Sequence, residues 1–508
     1  MIGQLALRVS GSRARLSRLA ALLGLFAAPA ALAEAQTDRF SAGGYYRIMT
    51  RPDFAGGNSR LGIWNLYGRL LNEGPYGMLQ LQLNVLQSEP EQRQPWAQVN
   101  ARIEGGSFQA ADQAGGTLAS FKVSQLYVQA GNVLLDSVTF KVGTLWFYPG
   151  DLGLYDVRPA ELFYDTVGLS GTYRGRDFDL MVGLGDSGYG VRGAQYDTLF
   201  TAGAWARYRF SPSFEIGLGG QYVFEPGIEG NRFAPYATPG LDYRDYVRHE
   251  VVKRFLEEHP GQEDLFPRAA PTSSQSWKLV GYLGFGKLGP LRWSSLYANL
   301  SKRHPDNFYT ETYQGRDYTI YTHDLTDRRY SVQAGNEMLL SIVPDRFDAA
   351  WGILFGRDWN DRNTVAAGED NRTYYSTVLR LQYYATKAVH LIAEGSLAQE
   401  KSQNGNLFRE HLDSIFSSTK GAADTRGLEL GDSDLRNTIQ GKLGVLFSPS
   451  GRGIWARPAL RLLYGLQYSS MQNAFGNNFE TSLDQHNQFA SVERHWHSVV
   501  AVEAEGWF

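Results

Sequence analysis

Near the two ends of this 508-residue sequence, small sets of side chains have the types and the spacing needed to hold a polar solute. Glu503, Glu505 and Trp507 recur at every second position, as do Tyr45 and Arg47, and again Tyr67 and Arg69. On an extended strand, side chains two apart share a face. Each set therefore offers an aromatic ring beside ionic hydrogen-bonding groups. That chemistry suits sugars, whose pyranose rings stack an apolar face on aromatics while charged side chains bond the hydroxyls. The plainer alternative is that these aromatics fill an interfacial girdle. Covalent chemistry has little support: there is no HExxH, no GxSxG and no phosphate-cradling glycine loop. The sequence contains no cysteine, and its nine histidines are scattered, mostly in or beside expected loops, as at His249, His304 and His411. Asp432-Ser433-Asp434 could attract a cation, but two acids one residue apart are commonplace. No catalysis, no cofactor and no metal are expected.

The elements that must position these residues are strands. In His497 to Phe508, the row Ser498, Val500, Val502, Ala504, Gly506 and Phe508 carries no charge, while the opposite row carries Glu503 and Glu505. One face suits hydrocarbon and the other water. An unpaired terminal strand exposes backbone groups unless it meets the first strand and closes a barrel. The same alternation is read in Phe40 to Arg51, where Phe40, Ala42, Gly44, Tyr46 and Ile48 face lipid. It is read again in Leu61 to Leu71, with Trp64, Leu66, Gly68 and Leu70 outward and Asn65, Tyr67 and Arg69 inward. Tyr76 to Ser88 is the clearest case, with Leu79, Leu81, Leu83 and Val85 against Gln80, Gln82 and Asn84. Closure makes Tyr45 and Trp507 neighbours.

Composition agrees. Mean hydropathy is −0.34, too polar for a helical membrane protein, and 29 Tyr, 27 Phe and 11 Trp are available for interfacial belts. The one long apolar run is N-terminal. Arg8, Arg13, Arg15 and Arg18, then Leu19 to Ala30, then Ala31-Leu32-Ala33 read as a signal peptide over residues 1–33. Its removal takes the formal charge from −3 to about −7, which argues against nucleic acid as a partner. Residues 34–508 then form a single barrel. Short turns, from Asn72-Glu73-Gly74-Pro75 to Ser448–Gly453, alternate with long polar connections at 52–60, 89–120, 148–166, 186–198, 225–275, 302–328, 357–372, 400–435 and 468–495. The pattern predicts an all-β fold: a transmembrane antiparallel barrel of about eighteen strands, with short periplasmic turns and long external loops. Tyr243–His259 and Asn406–Ser417 are helix-friendly stretches within those loops.

The chain resembles the maltoporin family of sugar-selective porins. Gly44-Tyr45-Tyr46-Arg47 is similar to the family's opening G-Y-x-R, Arg60-Leu61-Gly62 to its R-L-G, and Gly453 to Arg461 to its penultimate I-W-x-R-P-A-x-R strand. Gly506-Trp507-Phe508 is similar to its aromatic ending. The resemblance implies an eighteen-stranded homotrimeric barrel in the bacterial outer membrane, which passes malto-oligosaccharides over an aromatic slide. The slide would include Tyr45, Tyr67 and Trp507, with Trp96 lent to a neighbouring subunit and Tyr375 in the place of a paired tryptophan. Arg47, Arg60 and Arg69 would join a polar track. The third loop, from Phe147-Tyr148-Pro149-Gly150-Asp151, would constrict the lumen and bring Asp151, Asp156 and Asp165 to it. Phe508 would engage the barrel-assembly machinery. Pro149-Gly150 and Arg69 depart from the family pattern, as does the absence of a cysteine pair. A passive sugar porin is the leading expectation. A general or anion-preferring porin, favoured if Arg47, Arg60, Arg69 and Arg158 dominate the eyelet, is the alternative, and an outer-membrane barrel enzyme is a third.

Overall fold

The computed structural model describes residues 39–50, 66–73, 75–87, 94–106, 121–133, 135–164, 166–187, 199–225, 274–303, 308–313, 316–321, 329–360, 372–402, 435–470 and 496–508. The expected signal peptide and loop helices lie outside these residues, as do Arg60 and Asp165.

Eighteen strands form one closed antiparallel sheet. They are β1 (Phe40–Thr50), β2 (Tyr76–Leu86), β3 (Trp96–Gly106), β4 (Phe121–Gly131), β5 (Val138–Thr144), β6 (Val167–Arg174), β7 (Phe178–Asp186), β8 (Phe200–Ser211), β9 (Phe214–Glu225), β10 (Ser274–Leu288) and β11 (Leu291–Arg303), then β14 (Arg329–Val343), β15 (Phe347–Asn360), β16 (Arg372–Tyr384), β17 (Val389–Ser402), β18 (Leu435–Phe447), β19 (Ala459–Ser469) and β20 (Trp496–Trp507). A separate hairpin, β12 (Phe308–Tyr313) and β13 (Arg316–Tyr321), lies between β11 and β14. Each barrel strand pairs with its sequence neighbour, and β1 also pairs with β20, with Tyr45 opposite Trp507. Beyond that pair, Gly44 and Phe508 exchange backbone hydrogen bonds of 2.9 and 3.0 Å. A Cβ on Gly44 would overlap the Phe508 ring, so glycine is required there.

Alternation builds the wall. Leu83, Val128, Val182, Leu218, Ile353, Leu443 and Leu462 are exposed on the outside, while Glu394, Lys442, Arg461, Glu503 and Glu505 are buried on the inside. Outward aromatics gather at both ends. Tyr208 and Phe210 meet at 4.7 Å near the short β8–β9 turn, while Tyr330–Trp359 and Tyr468–Trp496 pair at 5.6 and 5.0 Å near the long connections. An apolar band between aromatic girdles marks a barrel of the outer-membrane kind.

The count of eighteen arises through two differences that cancel. The described part of Leu61–Leu71 is not a strand: residues 66–71 form an irregular turn, broken from extended geometry by positive φ at Gly68 (80°) and Leu71 (65°). In its place β3 lies within the stretch expected to be the long 89–120 connection. The match at Gly453–Arg461 is also partly displaced, since β19 begins only at Ala459 and the residues before it form an inward turn. The wall is uneven. β5, β6 and β7 have 7, 8 and 9 residues, against 15 in β10 and β14.

Candidate functional site

Three irregular segments fold into the barrel, and they define its interior. The largest is 145–166, between β5 and β6. It returns on itself through Leu145 N–H to Thr166 O (2.8 Å), the Phe147–Leu162 pair (3.0 and 2.8 Å) and Leu152 N–H to Val157 O (2.9 Å). Its apolar side, Leu152, Leu154, Tyr155, Leu162 and Phe163, is wholly buried. It lies on a wall of small residues: Leu152 sits over Gly335, Tyr155 over Gly352, and Phe163 over Gly183 and Gly203. Polar wall residues fix it at intervals. Glu337 accepts from Leu154 N–H (2.7 Å), Gln221 from Phe163 N–H (2.7 Å), and Asn299 donates to Pro159 O (2.8 Å). The loop therefore crosses from the short-stranded side of the barrel to β9–β16.

Residues 66–73 form the second segment. Arg69 N–H donates to Leu154 O (2.8 Å), which joins the two segments, and Lys442 Nζ donates to Tyr67 O (2.7 Å). Lys442 in turn pairs with Glu394 (2.8 Å), which also pairs with Arg380 (2.7 Å). These three charges are buried, so their pairing offsets their desolvation. The third segment precedes β19: Ile454 is buried in the same apolar cluster, and Trp455 lies against Gly153 under the Arg380 guanidinium.

At the barrel seam several of the expected residues converge. Glu505 accepts from Tyr45 Oη (2.6 Å), Arg69 (3.0 Å), Arg457 (2.7 Å) and Arg461 (2.6 Å). Glu73 pairs with Arg47 and with Arg69 (3.1 Å), and Glu503 accepts from Leu71 N–H (3.0 Å). Tyr45 and Trp507 meet at 4.6 Å, with Arg457 over both rings. Arg69–Glu505, Arg47–Glu73 and Leu71–Glu503 thus tie segment 66–73 to the seam.

The other aromatic expectations need correction. Tyr67 is buried and donates to Thr438 (3.2 Å), because its segment is packed filling rather than a strand face. Trp96 is the first residue of β3 and covers Gly131 of the same chain, so it is a strand residue and not a loop residue. Tyr375 faces outward, 52% exposed, beside inward Tyr374. Parity explains this: Arg380 is buried inside, and Tyr374, not Tyr375, stands an even number of residues from it. Five aromatics therefore do not line up as a slide.

Other side chains take their place around the open faces of the loop. Trp146 lies 5.5 Å from Tyr148 and 5.7 Å from Tyr164, with Arg102 and Arg158 at 5.1 and 5.4 Å from its ring. Trp146 Nε1 donates to Glu161. Tyr148 and Tyr164 are 38% and 54% exposed, so their rings are accessible. The alternation of aromatics through Trp146, Tyr148 and Tyr164 is visible in the sequence, but their meeting with β3 requires the fold. Asp156 lies at the loop tip, off any spanning strand, 3.8 Å from Arg158. Burial pushes its carboxyl up, but Arg69, Arg158, a hydrogen bond with the Glu73 carboxyl and Arg47 together hold it below its ordinary value. Asp151 is exposed on the same loop.

Two chambers flank the loop. Toward the long connections lies one of about 500 Å³, bounded by Glu161, Tyr164, Gln221, Asn299, Gln333 and Tyr374. Toward the short turns lies one of about 420 Å³, bounded by Phe147, Tyr148, Arg174, Trp205, Arg207 and Arg209. Among the described residues no group of histidine and acidic side chains is placed to hold a metal.

Neither family models nor curated proteins match the sequence. Solved structures of similar shape include OccK10 of Pseudomonas aeruginosa (8% identity, 93% of this chain and 99% of that one, TM-score 0.41). The outer membrane channel DcaP of Acinetobacter baumannii is another (9%, 92% and 97%, 0.36). A third is Wzi of Escherichia coli, described as a carbohydrate-binding β-barrel involved in group 1 capsule assembly (10%, 93% and 85%, 0.38).

Proposed function

We propose that this chain is a passive outer-membrane channel for small hydrophilic solutes, with carbohydrates preferred. The observation that carries the reading is a membrane-type barrel whose lumen is narrowed by inward-folded segments and keeps a polar chamber on each side. Selectivity in such a pore comes from its width and its lining groups. The carbohydrate preference is supported by the chamber facing the long connections. Gln221, Asn299, Ser331 and Gln333 supply uncharged donors and acceptors there, Tyr164 and Tyr374 supply ring faces, and the charges of Lys278 and Lys302 are balanced by those of Glu161 and Asp358. Neutral amides and hydroxyls match sugar hydroxyls without demanding a counter-charge. Among the described residues the aromatics make no continuous track for maltodextrin, so the preference concerns short sugars.

Transport is diffusion down a gradient, and binding must be weak enough for release. Liposomes containing the purified chain should take up glucose and maltose with saturating rates. Gln333→Ala with Tyr374→Ala should raise the half-saturating concentration by about three- to tenfold, the loss of one or two hydrogen bonds. Uptake that stays linear in concentration and ignores these substitutions would reject the sugar preference.

A further inference from the structure

The chamber near the short turns has a different chemistry from its counterpart. Arg174 projects into it from β6 and Arg207 and Arg209 from β8, on either side of β7, and Arg176 stands on the turn joining β6 to β7. Arg207 and Arg209 are committed: both bind Asp179, Arg207 through a 2.7 Å contact, and both approach Glu215 at 3.7 and 3.6 Å. Glu215 is also held by Tyr282 Oη at 2.7 Å. The other two are not committed in this way. Arg174 has no ion pair among the described residues, and Arg176 has only a loose 3.9 Å approach to Asp177, with its side chain 95% exposed. Exposed contacts of that kind contribute little. The chamber thus holds an excess of guanidinium groups, two of them with free donors. Beside them Phe147 and half-exposed Tyr148 present rings, with the Arg158 guanidinium 4.8 Å from Tyr148.

We propose that this chamber is an anion subsite, and that the solutes this channel favours are sugars bearing an acidic group. The ring of the solute would lie against Phe147 and Tyr148 while Arg174 and Arg176 bond its carboxylate or phosphate. Guanidinium forks suit both anions, since each offers a planar or near-planar pair of oxygens. Pairing with Asp179 and Glu215 holds Arg207 and Arg209 in place behind them. The inference rests on the channel reading and narrows its substrate class.

The test is block of potassium chloride current through the purified chain in planar bilayers, by glucuronate, glucose 6-phosphate and glucose added to each side in turn. Both acids should half-block at about tenfold lower concentration than glucose, the worth of one charge-assisted hydrogen bond. The Arg174→Gln/Arg176→Gln variant, which leaves the Asp179 and Glu215 pairs in place, should remove that advantage, and retained heat-modifiable gel mobility shows that it has folded. Block by only one of the two acids supports the subsite and identifies which anion it takes. Equal block by glucose, or an unchanged advantage in the variant, overturns the proposal while leaving the channel standing. A chain that forms no conducting pore overturns the channel reading and this one together.

Discussion

Glu505 gathers three guanidinium groups and a phenol on one buried carboxylate. Removing one member of such a cluster leaves the remaining charges buried without a partner, at a cost of about 3–5 kcal/mol. Glu505→Gln should therefore lower the temperature at which the folded barrel loses its fast gel mobility. Tyr45→Phe, which removes one hydrogen bond and keeps the ring, should lower it far less, and equal effects would show that the cluster is not what ties segment 66–73 to the seam. Asp156 gives a pH test. A carboxyl held below its ordinary value contributes stability that is present above that value and lost as pH falls through its folded one. The ordinary value is 3.8. The Asp156 contribution to the stability of the folded barrel should thus persist down to about pH 4 and be lost below it, and Asp156→Asn should remove that acid step while keeping any change near pH 7 that comes from Glu73, whose carboxyl burial pushes up to about 7. An acid step below about pH 4 that survives unchanged in Asp156→Asn would contradict the assignment.

At the scale of elements, the constriction depends on glycines as much as on the loop. A Cβ at Gly352 would lie 2.6 Å from the Tyr155 ring, closer than real contacts allow. Gly352→Val should lift the loop tip from β15 and raise unitary conductance with little change in the barrel, since the altered residue stays on a strand. An unchanged conductance would show that Tyr155 does not hold the tip. The same contrast between strand and segment explains what the sequence disclosed. Period-two alternation is local, so β1, β2 and β20 were legible, as was the meeting of Tyr45 with Trp507. Segment 66–73 carries the same alternation, yet its apolar side packs on the inner wall instead of facing lipid. No local pattern separates those two environments. Tyr374 was within reach, because its parity is shared with a charged neighbour that must face inward. The arginines of the lower chamber come from β6, β8 and a turn, and only strand pairing brings them together.

At the scale of the whole molecule, the barrel has one low side and one high side, and the main loop crosses from the former to the latter. The two chambers lie on either side of the loop, one polar with its acids and lysines in balance, the other rich in arginine. This arrangement makes the crossing loop the element that sets both width and preference. Single-channel recording of the full chain beside a variant lacking residues 152–157 tests this most directly. The account predicts discrete openings in the full chain and a clearly larger unitary conductance in the shortened one, with sugar block weakened in parallel. Identical conductance in both, or no openings in either, would contradict it.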